Sequence, residues 1–322
     1  MISEFDLIAR YFTRAQPGHP QVVLGIGDDC ALLNPTPGMV LAISSDMLVE
    51  GRHFLPDADP KKLGHKSLAV NLSDLAAMGA RPLGFTLALS LPQPDQTWLA
   101  GFADGLFALA DAHDCALIGG DTTKGPLNIC ITIFGEIPPG QALRRDAALA
   151  GDDIWVSGTL GDARLALAGL RQEVALDPAE QAAAAARLDT PSPRVALGLA
   201  LRGVAHAAID ISDGLSGDLG HILQRSGCGA LVKLDALPPG PVLARQPQAL
   251  QREFALSGGD DYELCFTAAV TQRAAVLAAA QAAGITVTRI GSIEPAAGLR
   301  LVDASGAALD LQFSSFDHFT SP

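Results

Sequence analysis

Apolar residues in the first half of the chain follow two spacings. Short β-like runs occupy Val22 to Ile26, Val40 to Ser44, Phe85 to Leu91, Ala116 to Ile118 and Leu127 to Ile137. Lys61 to Met78 and Asp95 to His113 carry the wider spacing of helices. Strands interleaved with helices predict a mixed sheet. Pro138, Pro139 and Gly140 then break the pattern, and a second set opens with a strand from Asp153 to Ser157 and a helix after Gly161. Single cores usually divide beyond roughly 250 to 300 residues, so 322 residues predict an α/β (α+β) chain of two domains, 1–140 and 141–322, with the boundary between 138 and 150. Gln181 to Arg187, nearly all Ala, reads as a plain helix, and no short-period repeat is visible.

Composition narrows the class. No apolar run approaches the roughly 18 residues needed to span a bilayer, although 48% of the residues are hydrophobic. Glu4, Asp6 and Arg10 interrupt the first segment, so Met1 to Phe12 reads as an amphipathic helix capped by Ser3 rather than a signal peptide. The expectation is a soluble, cytoplasmic protein. Cys30, Cys115, Cys130, Cys228 and Cys265 are odd in number and lack a C-x-x-C pair, which indicates neither a disulfide framework nor a zinc site. The net charge of −13 argues against nucleic-acid and anionic-membrane partners, which want clustered Lys and Arg. A site for anions in such a chain needs a metal.

The chemistry lies in Asp residues placed beside Gly or Ser after apolar runs. They stand at Gly27-Asp28-Asp29, Ser44-Ser45-Asp46, Gly119-Gly120-Asp121, Asp210-Ile211-Ser212-Asp213-Gly214 and Gly258-Gly259-Asp260-Asp261. In open sheets such positions are loop ends where ligands bind. Asp74 joins them from a helix, with Asn71 one turn before it on the same face. Any one of these is ordinary turn chemistry. Six together are not, and the adjacent pairs Asp28-Asp29 and Asp260-Asp261 require an offsetting cation. Oxygen donors without a Cys or His cluster suit Mg²⁺.

Nucleotide loops of known pattern are absent. Gly25-Ile26-Gly27 lacks the third glycine of a dinucleotide loop, and Lys66-Ser67 and Lys124 lack the context of a P-loop. Gly158 to Asp162, between a strand and a helix, supports two readings: backbone N–H groups for a phosphate, or tight packing. His53 likewise reads as an anion contact or a loop cap. His65, His113 and His221 read as helix-surface residues, and no nucleophile set or glycosidase-like carboxylate pair is present.

These residues resemble the thiamine-monophosphate kinases, in the superfamily that also holds aminoimidazole ribonucleotide synthetase and selenophosphate synthetase. The resemblance runs from Phe5 to Phe319. It rests on GIGDDCALL at 25–33, AISSDMLVEGRHF at 42–54, NLSDLAAMGA at 71–80, IGGDTT at 118–123, AIDISDGL at 208–215, DLGHI at 218–222, SGGDDYELCF at 257–266 and FDHF at 316–319. It implies a two-domain aminoimidazole ribonucleotide synthetase-like fold with mixed sheets and helices in each domain. The N-terminal domain would bind ATP and magnesium and pair with its copy into a homodimer; the C-terminal domain would complete the active site. By motif position, Asp29, Ser44, Ser45, Asp46, Asp74, Asp121, Asp210 and Asp213 look like ligands of several Mg²⁺ ions. Gly120, Asp121, Arg145 and Ser212 look like ATP contacts, and His53, Asp260 and Phe316 like contacts to thiamine monophosphate. The family commonly has Glu at the place of Asp260 and often Trp or Tyr at that of Phe316.

The implied reaction suits this residue set. An acceptor phosphate with a second pKa near 6 is already largely deprotonated at pH 7 and needs no general base. The obstacle is charge: like charges 4 Å apart repel by about 4 kcal/mol at an effective dielectric of 20. The expectation is direct in-line transfer assisted by Mg²⁺, with no catalytic nucleophile. The alternatives are another ATP-dependent synthetase of the superfamily and a non-catalytic metal- or nucleotide-binding module.

Overall fold

The computed structural model describes residues 3–14 and 19–309. The chain divides into two compact units, Met1–Leu75 with Ala80–Gly140, and Ala76–Gly79 with Gln141–Pro322.

The first unit opens with α1 (Glu4–Leu7), where the Ser3 hydroxyl accepts from the Asp6 N–H, and continues as a π-helical turn over Ile8–Phe12. Then follow β1 (Val22–Leu24), β2 (Leu32–Leu33), β3 (Val40–Val49), α2 (Pro60–Met78), β4 (Arg81–Leu91), α3 (Gln96–Ala112), β5 (Ala116–Lys124) and β6 (Asn128–Ile137). A four-stranded mixed sheet runs β3-β6-β4-β5, antiparallel except for the parallel β4–β5 pair. Register makes its two faces unlike. Phe85, Leu87 and Leu89 lie opposite Ile133, Ile131 and Ile129 and are buried. They form the interior with Leu68, Leu72 and Leu75 of α2 and Leu99, Phe102 and Leu106 of α3. The other face, with Thr86, Ala88, Cys130 and Thr132, stays half-buried or exposed. Helices α2 and α3 pack backbone to backbone: a Cβ at Gly64 would strike the Phe102 carbonyl, and one at Gly105 the Lys61 carbonyl. Asp95 caps α3 by accepting from the N–H groups of Thr97 and Trp98.

Two strands outrun their apolar signal. The sequence pattern ends them at Ser44 and Ile118, whereas β3 continues to Val49 and β5 to Lys124. Pairing carries the polar residues: Ser45 lies opposite Thr132 and Asp46 opposite Ile131, while Gly120 and Asp121 pair with Leu87 and Ala88. Ser44-Ser45-Asp46 and Gly119-Gly120-Asp121 are therefore strand-interior, not loop-end, positions. Gly120, at φ +148°, has no room for a Cβ against the Leu87 carbonyl.

The second unit contains β7 (Asp153–Ser157), α4 (Asp162–Leu170), α5 (Pro178–Asp189), α6 (Val195–Ala200), β8 (Ala207–Asp210), α7 (Leu215–Ser226), β9 (Gly229–Lys233), α8 (Gln248–Ser257), β10 (Leu264–Ala268), α9 (Arg273–Ala282), β11 (Val287–Glu294) and β12 (Gly298–Val302). Its six-stranded sheet runs β12-β9-β11-β7-β10-β8, antiparallel but for β12–β9. Ile154, Val156, Ile209, Cys265 and Ile290 meet Leu215, Leu219 and Ile222 of α7 in one core cluster, and α4 and α5 share another around Leu165, Ala166 and Ala184. Among the described residues no helix is long and apolar enough to cross a membrane.

Candidate functional site

In the first unit the carboxylates fall into separate places. Ser44 and Asp46 alternate on β3 with the same facing as Leu48, toward the helix-covered side. There the Ser44 hydroxyl donates to Asp74 Oδ2, which α2 presents. Asn71, one turn earlier, is buried; its Nδ2 donates to the Ser67 carbonyl at 3.0 Å, and its Oδ1 has no partner among the described residues. The Ser45 hydroxyl is on the opposite face, 3.0 Å from Thr132 Oγ1 and 3.2 Å from the Ile131 carbonyl. Asp121 is exposed beside Ala88 on that open face. Asp28 and Asp29 occupy an exposed loop, where the Asp29 N–H donates to Asp28 Oδ1 at 2.8 Å. The structure thus brings Ser44, Asp46 and Asp74 to one side of the sheet and leaves Ser45 and Asp121 on the other.

His53 caps its turn: Nδ1 accepts from the Val49 N–H at 3.0 Å. A neutral ring with Nδ1 accepting carries its proton on Nε2.

In the second unit, β8 ends at Asp210 and a tight loop leads through Ser212 and Asp213 into α7. The loop is pinned to the 257–263 segment. Ser212 O accepts from Asp260 N at 2.9 Å, Ile211 O accepts from Tyr262 N, and Ile211 N donates to Glu263 O, both at 2.8 Å. Asp210, Ser212, Asp213 and Asp260 are thereby gathered on adjoining loops. Asp260 and Tyr262 adopt φ +67° and +49°, left-handed conformations that a non-glycine residue holds only when its surroundings fix it.

Those surroundings are a buried polar network that the motif reading missed. Asp261 does not share a cation with Asp260. Its carboxylate turns inward and accepts from the Gly161 N–H with both oxygens, at 2.9 and 3.0 Å, and burial pushes its pKa well above the usual carboxylate range. Repulsion within this pair is thus relieved by turning one side chain into the protein. Glu263, fully buried, accepts from Ser157 Oγ, from Arg187 at 2.7 Å and from both Nε and Nη2 of Arg194. Asp218, in the first turn of α7, accepts from the N–H groups of Ser212, Asp213 and Gly214. Burial, with Asp210 and Asp213 adding to it, pushes its carboxyl up to about 7. Its place directly before the apolar strand β10 hides Glu263, and position in a helical first turn hides Asp218; only the density of acids in these motifs hinted at a second layer.

The Gly158–Asp162 loop resolves to packing. Gly158 N, Leu160 N and Gly161 N donate to Thr286 O, Pro238 O and Asp261, and a Cβ at Gly158 would strike the Glu263 carboxylate. Asp162 in turn accepts from the N–H groups of Val242 and Leu243. Arg145 is exposed and its guanidinium has no partner among the described residues, whereas neighbouring Arg144 is engaged by Asp146. Phe316 lies outside the described residues.

Among the described residues no three His, Cys, Asp or Glu side chains form a metal-holding group. The donors nevertheless fit a hard divalent cation. All are oxygens, the buried Asn71 Oδ1, one helical turn before Asp74, has no partner among the described residues, and Mg²⁺ is commonly held by one or two carboxylates together with phosphate oxygens rather than by an all-protein cage.

Residues 27–137 match AIR synthase related protein, N-terminal domain, and residues 150–304 match AIR synthase related protein, C-terminal domain. The chain is 50% identical to the thiamine-monophosphate kinase of Salmonella typhimurium over 99% of either chain. It superposes with a TM-score of 0.84 on the crystal structure of thiamine-monophosphate kinase from Stenotrophomonas maltophilia, at 51% identity over 90% of this chain and 93% of that one. AaThiL complexed with AMPPCP and TMP gives a TM-score of 0.77 at 29% identity, covering 88% and 89%. With both domain types in order and near-complete coverage at such identity, the chain belongs to the thiamine-monophosphate kinase family.

Proposed function

We propose that the protein transfers the γ-phosphoryl group of ATP directly to the phosphate of thiamine monophosphate, releasing thiamine diphosphate and ADP. The full-length identity to thiamine-monophosphate kinases carries this reading, and the complex of a relative with AMPPCP and TMP supports both substrates. We place it in the cytoplasm, in keeping with its five free cysteines.

In this reading Asp29, Ser44, Asp46, Asp74 and Asp121 of the first unit and Asp210 and Asp213 of the second hold Mg²⁺. Ser45, whose hydroxyl faces away from Asp74, would contribute through its main chain. Mg²⁺ held by these residues would supply positive charge to offset the phosphates and the charge developing on the leaving oxygen. Arg145, exposed and with no guanidinium partner among the described residues, supplies a forked contact to phosphate. Ser212 and Gly120 line the nucleotide, and His53 Nε2 and Asp260 meet the acceptor. The family resemblance implies the same role for Phe316. No residue is needed as a base, because the acceptor oxygen is already ionised at pH 7.

Incubating the purified protein with Mg²⁺, ATP and thiamine monophosphate should yield thiamine diphosphate and ADP in equal amounts, with free thiamine inert. AMP as product, or pyrophosphorylation of thiamine, would overturn the assignment.

A further inference from the structure

Three successive backbone N–H groups, those of Ser212, Asp213 and Gly214, converge on a single atom, Oδ2 of Asp218, each at 3.1 Å. Consecutive N–H groups curled around an anion form a nest, a device usually open to phosphate. Here a side chain of the protein fills it. Asp218 is 3% exposed, so water cannot replace it easily, and its place in the first turn of α7 sets its charge against the positive end of the helix.

Gly214, at φ +116°, lies so close to Ser257 that a Cβ would come within 2.8 Å of that backbone, and Asp260 N bonds to Ser212 O. These contacts fix where the loop lies. The three bonds to Asp218 fix how its peptide planes are turned, and therefore where the side chains of Ser212 and Asp213 point. They also use up the N–H groups, so this loop meets a nucleotide or cation with side chains and carbonyls only.

We propose that Asp218 is a positioning residue: by gathering the three N–H groups it aims Asp213 and Ser212, beside Asp210, at the metal and nucleotide while touching neither. The inference rests on the kinase reading above, but its test does not need turnover.

Mn²⁺ serves as the probe, titrated into the full chain without nucleotide and followed by loss of the free-ion EPR signal. Asp218→Ala leaves three donors unpaired and should weaken binding about 10- to 100-fold, the usual consequence of losing a partner that orients metal ligands. Asp218→Asn keeps one oxygen acceptor in the same shape and should weaken it less, by about 3- to 10-fold, while folding normally. Added formate should restore part of the binding in Asp218→Ala and none in Asp213→Asn. In turnover, kcat should fall in the same order with the KM for thiamine monophosphate within about 2-fold. Unchanged Mn²⁺ affinity in a folded Asp218→Ala protein, an equal shift in the KM for thiamine monophosphate, or loss of folding in both variants would each sink the proposal. A wild-type protein that binds Mn²⁺ but does not phosphorylate thiamine monophosphate would overturn the kinase reading and leave this one standing on the binding data.

Discussion

Asp residues in this chain do three different jobs, and environment sorts them. Asp177 caps α5 in a reciprocal pair with Glu180. Asp218 and Asp261 are buried and answer backbone N–H groups. Asp29, Asp74 and Asp213 remain at least partly accessible, which suits the cation ligands proposed above. In the proposed reading, replacing each of these three by Asn removes charge that would hold a cation while nearly preserving shape, so kcat should fall at least about 100-fold in each with melting temperature maintained. Asp177→Asn is the fitting control, because Asn caps a helix about as well as Asp. Near-normal turnover in all three variants would remove the metal assignment. The sequence alone could not separate these jobs, since side-chain direction is set by partners distant in the chain: Asp261 and its donor Gly161 are 100 residues apart.

At the level of elements, α2 matters because it presents Asp74 to Ser44, and its place depends on contact with α3. Gly105 tests this with opposed effects. Alanine is favoured over glycine in a helix by about 1 kcal/mol. Here the added Cβ would collide with the Lys61 carbonyl, so the helices must part, and overpacking of this kind costs about 1 to 3 kcal/mol. Gly105→Ala should therefore lower stability by up to about 2 kcal/mol, read as a lower urea midpoint; a raised midpoint would show that the helices can shift freely. The helices themselves were legible in the sequence: Lys61 to Met78 became Pro60–Met78, and Asp95 to His113 became Gln96–Ala112 with Asp95 as cap. The ends of β3 and β5 were not. Ser45-Asp46 and Gly119-Gly120-Asp121 look like turns locally and are extended only because β6 and β4 supply pairing partners from afar.

For the whole molecule the open question is what covers the outer face of the β3-β6-β4-β5 sheet. Ile43 and Met47, 61% and 52% exposed, alternate there with Ser45, and Leu41 continues the row on a ten-residue edge strand. Nearby in sequence, β1 and β2 expose Val23, Leu24 and Leu32. A long apolar edge strand left in water invites pairing with another chain, and contiguous apolar patches of this kind usually mark an interface. We propose a second copy as the occupant, in line with the homodimer that the family resemblance implies, which also requires no partner beyond the chain itself. Two lysines at the centre of a self-complementary patch bring four like charges together across the two-fold axis, which should cost several kcal/mol of association. Ile43→Lys with Met47→Lys should therefore convert a dimer into a monomer in sedimentation velocity, while each chain keeps its helical circular dichroism, because neither side chain contributes to the buried interior. Retention of the wild-type sedimentation coefficient by the double variant would place the dimer contact elsewhere or remove it.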